Sequence, residues 1–97
     1  MLHLIMQTPL DVAVLERIAS GDGIVLMYDN VWLACLENQW QEKIRHLQQQ
    51  LCKVYVLSDD VSLFGVSKDK LLADVDVIDR PQWVTLTTQY SVIKTWH

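Results

Sequence analysis

Four short apolar runs punctuate the chain, and each stops at polar or turn-forming residues. Leu2 to Met6 ends at Gln7-Thr8-Pro9, and Ile24 to Tyr28 ends at Asp29-Asn30. Lys53 to Leu57 ends at Ser58-Asp59-Asp60, and Val75 to Ile78 ends at Asp79-Arg80-Pro81. The third, at Val54 to Leu57, is too short for a helix and too apolar for a half-exposed strand, so it predicts an inner strand of a parallel sheet covered on both faces, and the other runs read as further strands. Between the first two, Val12, Leu15, Ile18 and Ala19 recur at helical spacing. Thr8 or Asp11 can cap that helix, with Pro9 tolerated near its start, and Gly21 or Gly23 can end it in the left-handed conformation. From Val31 to Leu51 the stripe Leu33, Leu36, Trp40, Ile44, Leu47 and Leu51 fits one helical face. Glu37-Asn38-Gln39 divides it into a short helix and a longer one. A helical turn from Asp59 to Phe64 precedes Gly65, Ser67 can cap another short helix through about Ala73, and Pro81 suits the first turn of a last helix through Val84 and Leu86. The tail from Gln89 to His97 receives no assignment. Strands alternating with helices predict an α/β three-layer sandwich with a mainly parallel sheet of four to five strands, as one domain over residues 1–97.

Composition narrows the function classes. The chain has 97 residues, 51% of them hydrophobic, with four tryptophans, which is apolar for a domain with so little interior. Some of that surface is expected to lie against a partner. The net charge is −4, and the eight basic residues are scattered rather than clustered, so direct nucleic-acid binding by this chain alone is not expected. Cys35 and Cys52 form no CxxC pair and are too few for a disulfide scaffold. The start, MLHLIMQTPLD, lacks the basic region of a signal peptide, and no run reaches the roughly 20 apolar residues of a membrane span. A cytoplasmic protein that does not enter membranes is expected.

In parallel α/β sheets chemistry gathers past the carboxyl ends of the strands. The third run ends there in Ser58, Asp59 and Asp60: a hydroxyl and two carboxylates, without thiol, imidazole or glycine-rich loop. Asp29, Asp59, Asp60 and Asp79 together evoke a Mg²⁺ site, which would require carboxylates converging on one oxygen cage. The first strand ends in Gln7-Thr8-Pro9 instead of acids, and acidic residues at helix starts are what capping and helix dipoles favour, so no metal or other cofactor is assigned. His3, His46 and His97 form no Ser/His/Asp arrangement, and no GxSxG or Walker motif occurs. Cys35, among Trp32, Leu33 and Leu36, and Cys52, on the amino-terminal side of the third strand, read as buried structural thiols. No catalytic residue is assigned. Trp32 and Trp40 flank the helix break, and large aromatics anchor interfaces, so His3, Trp32, Cys35 and Trp40 are the expected interface residues.

The ordered set Met1-Leu2-His3 with Thr8-Pro9, Ser20-Gly21-Asp22 before Ile24-Val25-Leu26, and Asp29-Asn30-Val31 is similar to the DsrH/TusB family. So are Val54-Tyr55-Val56-Leu57 with Asp59-Asp60, Phe64-Gly65, Val77-Ile78-Asp79, Trp83-Val84-Thr85-Leu86-Thr87, and a tail ending near Trp96. Each motif is weak alone; their order and spacing over nearly the whole chain carry the resemblance. It implies a DsrE/F-like fold and a place in a heterohexamer with TusC/DsrF-like and TusD/DsrE-like siblings, two copies of each. In the tRNA branch such a complex relays persulfide sulfur toward 2-thiouridine at the wobble position, and the sulfur-accepting cysteine belongs to the TusD/DsrE-like sibling. Some members carry a cysteine in the first helix; here Asp11 to Ser20 has none, and Val14 stands in that place. That departure implies a non-catalytic subunit of the tRNA branch. The alternatives are a sulfurtransferase carrying persulfide on Cys35, a subunit of a dissimilatory sulfur-oxidation relay, and a stand-alone homo-oligomeric ligand-binding module.

Overall fold

The computed structural model describes residues 1–36 and 38–97. Its centre is a five-stranded, all-parallel sheet of β1 (Leu2–Ile5), β2 (Gly23–Leu26), β3 (Lys53–Leu57), β4 (Val75–Ile78) and β5 (Ile93–Trp96), in the order β4-β3-β2-β1-β5. The four apolar runs are four of these strands, and the unassigned tail supplies the fifth, pairing Leu2 with Ile93 through Ile5 with Trp96. The helices are α1 (Val12–Glu16), α2 (Gln41–Gln49), α3 (Ser58–Leu63) and α4 (Arg80–Gln89), with 3₁₀ segments at Tyr28–Ala34 and Lys68–Lys70.

A right-handed crossover fixes which face each helix covers. The steps β1 to β2 to β3 to β4 all run in one direction, so their connections share one face. The step from β4 back to β5 runs the other way and places α4 on the opposite face. The core divides accordingly. On the first face Ile5, Ile24, Leu26, Val54 and Val56 pack with Val14, Leu15, Val31, Ile44 and Leu47. On the second, Leu2, Leu4, Val25, Met27, Leu57 and Ile78 meet Leu86, with Tyr55, Trp83 and Tyr90 partly buried around them.

Local chemistry explains most boundaries. The Asp11 carboxylate accepts the Ala13 amide and caps α1. That helix ends at Glu16, short of the expected Ala19, because the Arg17 and Ile18 amides close tight turns onto Val14 and Leu15. Gly21 makes the expected left-handed turn at φ 85°. Gly23 has a different reason: a Cβ there would lie 2.6 Å from the Tyr90 hydroxyl and 2.9 Å from a Leu2 methyl. The expected break in the long stripe is present, although Glu37 lies outside the described residues. Asn38 organises it. Its amide donates to the Trp32 and Cys35 carbonyls, and its oxygen accepts the Trp40 amide at 2.6 Å. The piece before the break is a 3₁₀ helix rather than an α-helix, and Cys35 follows it. Asp79 and Gln82 form a reciprocal capping box, with Pro81 in the first turn of α4.

The helix expected from Ser67 to Ala73 is only a 3₁₀ turn. Leu36 donates to the Lys70 carbonyl, Leu72 donates to that of Ala34, and Cys35 bridges antiparallel to Leu71. This long-range pairing draws the segment out of helical geometry. Tyr28, read as the end of the second strand, instead turns left-handed at φ 58° and starts the 3₁₀ segment.

Candidate functional site

The carboxyl edge of the sheet is where the sequence directs attention, and its polar groups are tied down one by one. The Asp60 carboxylate, 6% exposed, accepts the Tyr28 amide at 2.8 Å and so holds the left-handed turn. Asp29 accepts the Thr8 hydroxyl at 2.7 Å. Asp59 pairs with Arg80 at 2.9 Å in open solvent, and Asp79 caps α4. The amide of Asn30, buried, bridges the carbonyls of Ile5 and Gln7. Each of these acids has its own partner within the chain, and among the described residues no group of three His, Cys, Asp or Glu side chains converges as a metal site. Ser58 begins α3 and Asp59 lies in its first turn, where an acid favours the helix dipole.

The four expected interface residues separate into two kinds. His3, 1% exposed, and Cys35, 5% exposed, are buried within the chain itself. Trp40 is partly buried against the first-face core. Trp32, by contrast, leaves 49% of its surface exposed, and Tyr28, at the start of the same 3₁₀ segment, leaves 50%. Together they put two large aromatics on the surface directly after β2. Reasoning from sequence missed Tyr28 because it continues the apolar run; the asparagine and aspartate after it were the available sign of a turn.

His3 sits instead in a buried polar chain. The Trp96 indole N–H can only donate, and it lies 3.0 Å from His3 Nδ1. The imidazole proton is therefore on Nε2, which donates to Asp22 Oδ2 at 2.8 Å. The two rings lie at 18° with centroids 6.2 Å apart, which fits hydrogen-bonded rings side by side rather than face to face. Arg17 and Lys94 approach the Trp96 ring at 5.8 and 5.1 Å. Burial raises the Asp22 pKa, but the hydrogen bonds from His3, the Ala19 amide and the Met1 amino group outweigh it and hold the carboxyl below its ordinary range. The network joins β1, the start of β2 and β5, and leaves His3 with both ring nitrogens occupied.

Neither thiol is presented for chemistry. Cys52 is 4% exposed and donates to the Ala19 carbonyl at 3.3 Å; Cys35 faces the Val31 carbonyl at 3.6 Å. Burial pushes both thiols up from their usual range, so little thiolate forms at neutral pH. Both are accordingly expected to react with iodoacetamide at neutral pH at least about tenfold more slowly than a free thiol. Mass spectrometry of the time course checks this. His46 lies exposed on α2, beside a groove of about 460 Å³ between α1 and α2 that also involves Glu16, Glu42 and Lys43. Among the described residues, no helix is long and apolar enough to cross a membrane.

With this geometry in view, a family model described as DsrH like protein matches residues 7–93. The chain belongs to the DsrH family. The same assignment follows from full-length relatives. Protein TusB of Shigella flexneri is 33% identical over 99 aligned positions, covering 99% of this chain and all of the relative. Protein TusB of Escherichia coli O1:K1 is 32% identical with the same coverage. Among solved structures, the ychN protein from E. coli superposes with a TM-score of 0.76 at 14% identity, over 98% of this chain and 97% of that one. MTH1491 from Methanobacterium thermoautotrophicum gives 0.76 at 15% identity, over 98% and 96%. At such identities these structures establish a shared α/β fold and no more. The motif order that pointed to the DsrH/TusB family thus agrees with both the family model and the relatives.

Proposed function

We propose that this chain is the TusB-type subunit of a cytoplasmic sulfur-relay complex acting in tRNA modification, and that it contributes surface rather than a sulfur-carrying thiol. The observation carrying the first half is the end-to-end likeness to proteins named TusB, at 33% identity without a missing segment. The burial of Cys35 and Cys52, with the absence of any cysteine in α1, supports the second half. In this reading residues 1–97 act as one unit alongside TusC/DsrF-like and TusD/DsrE-like siblings, two copies of each, and the reactive cysteine belongs to the TusD-like sibling. The relay's product is 2-thiouridine at the wobble position. Tyr28 and Trp32, at the carboxyl edge of the sheet, are the surface offered to a sibling.

The net charge of −4 supports leaving tRNA contact to other subunits. Native mass spectrometry of the tagged chain, purified from the cell that makes it, tests the assignment. The expected mass is a hexamer containing two similarly sized partners, two copies each. Recovery of the chain alone, or as a homo-oligomer without partners, would contradict it.

A further inference from the structure

β5 is the strand of this sheet in which no residue is fully buried: Ile93 and Lys94 are exposed, and Thr95 and Trp96 are half-buried. It lies at an edge, pairs with β1 alone, and has one large anchor, the Trp96 ring packed against the first-face core. Segments with so few buried contacts open locally well before the whole domain unfolds. Whether the strand stays in place therefore depends heavily on where the Trp96 indole sits.

That position rests on one unprotonated nitrogen. The indole N–H, a donor only, points at His3 Nδ1 from 3.0 Å, while His3 Nε2 donates to Asp22. A second proton on the imidazole has a single place to go, Nδ1, where it meets the indole hydrogen. Imidazolium at His3 and the docked indole exclude each other. The surroundings sharpen the conflict. Lys94 stands in register with His3 and over the Trp96 ring, Arg17 reaches over the same ring, and the Met1 amino group binds Asp22. With the indole docked, a cationic His3 adds a fourth positive charge beside one carboxylate. Cys52 and Tyr90, near Asp22, stay neutral because burial raises both. Glu16, Lys43 and His46 line the groove between α1 and α2 instead. Once the indole has left, the imidazolium keeps a favourable partner, because Asp22 is held below its ordinary range and remains an anion at Nε2.

We propose that β5 is a proton-released edge strand: uptake of a second proton by His3 expels the Trp96 indole and frees β5 from β1, while the rest of the sheet stays folded. Histidine is the side chain whose charge ordinarily changes between pH 5 and 8, so acidification within that range drives the release. The released form holds one proton more than the docked form, so each unit of falling pH favours it by up to about tenfold. Release bares the edge of β1, where the Leu2, Met6 and Gln7 amides now donate to the Val92 and Trp96 carbonyls. The device is a property of the chain alone and does not rest on the sulfur-relay reading.

Nuclear magnetic resonance of the purified full chain, from about pH 8 to about pH 5.5, tests it. The ring nitrogen shifts report the protons on His3, and comparison with Trp96→Phe identifies the Trp96 indole signal. The expected result at the upper end is one imidazole proton, on Nε2. As His3 gains the second, the exchange protection of the β5 amides, corrected for intrinsic rates, should fall at least about tenfold with the same midpoint, and that of β2 and β3 should hold. Trp96→Phe keeps a ring on the core without the donor, so its β5 should be equally protected at both ends of the range. His3→Asn, whose side-chain oxygen can accept the indole N–H without titrating, should likewise abolish the pH response. A His3 that takes up its second proton while the Trp96 indole and β5 stay protected would overturn the proposal. So would a β5 unchanged across the whole range, a loss of protection shared equally by β2 and β3, or a pH response that survives in Trp96→Phe.

Discussion

Trp32→Glu is expected to strip this chain from its complex while leaving its fold intact. The side chain is 49% exposed, so the variant removes little from the core. The Trp32 carbonyl, which accepts the Asn38 amide, is backbone and survives the change. Buried interface tryptophans commonly contribute about 2 kcal/mol or more to association, which corresponds to roughly 30-fold in affinity, and a carboxylate in their place adds a desolvation cost. Pull-down of the siblings should therefore fall by at least about 30-fold. The thermal midpoint of the isolated variant should stay within a few degrees of the wild type. Undiminished assembly would remove Trp32, and with it the carboxyl-edge surface, from the proposed interface. Tyr28→Ala, beside it, offers an independent check in the same direction.

Asp22→Ala should be the most damaging single change to the fold. It removes the acceptor of the buried His3 Nε2–H and of the Ala19 amide. Hydrogen bonds to a charged acceptor are worth about 1.5–3 kcal/mol each, and a buried donor left without a partner adds its own cost. A loss of roughly 3 kcal/mol is expected, enough to lower the thermal midpoint by more than about 10 °C in a domain of this size. Asp22→Asn, which keeps one oxygen acceptor, should fall between the variant and the wild type. The pH dependence separates the charge from the shape. Because the folded-state pKa of Asp22 lies below its ordinary value, its contribution is fully present above the unfolded pKa, near about 3.9. It is lost as pH falls through the folded value. The stability gap between wild type and Asp22→Asn should thus be constant near neutrality and narrow below about pH 4. Urea denaturation at a series of pH values measures it.

The parts of this fold that could be read from sequence are those whose cause is local. The strands β1 to β3 are nearly continuous apolar runs because neighbouring strands and both covering layers bury them, while β4, at one edge of the sheet, was marked by Val75, Val77 and Ile78 around Asp76. The capping of α1 by Asp11 and the turn at Gly21 likewise sit within a few residues of what they control. β5 escaped because it lies at the sheet's edge, where Ile93 and Lys94 are exposed and no buried run forms. The segment from Ser67 to Ala73 carries a helical signal, and its outcome is decided by pairing with Ala34 to Leu36, far away in sequence. The same distance hides the polar chain of Trp96, His3 and Asp22. His3 and Asp22 are visible individually, but their link through the unassigned strand is not. At the candidate site, the sequence marked the acids after the strands, whereas the side chains each is bound to could be found only in the folded chain. Trp32 was legible as a large aromatic after a strand; Tyr28 became its companion only through a backbone reversal held by Asp60.

The central claim is that this chain supports sulfur relay through its surface and not through a thiol of its own. The most direct measurement is the 2-thiouridine content of tRNA, by liquid chromatography and mass spectrometry, in cells whose only copy of the chain is Cys35→Ser/Cys52→Ser. Serine can keep the donor contacts to the Val31 and Ala19 carbonyls that the thiols make now. Cells lacking the chain should lose the modification, and the cysteine-free chain, recovered in an assembled complex, should restore it to near the wild-type level. Loss of thiolation while the cysteine-free complex remains intact would contradict the account and return the sulfur to Cys35 or Cys52.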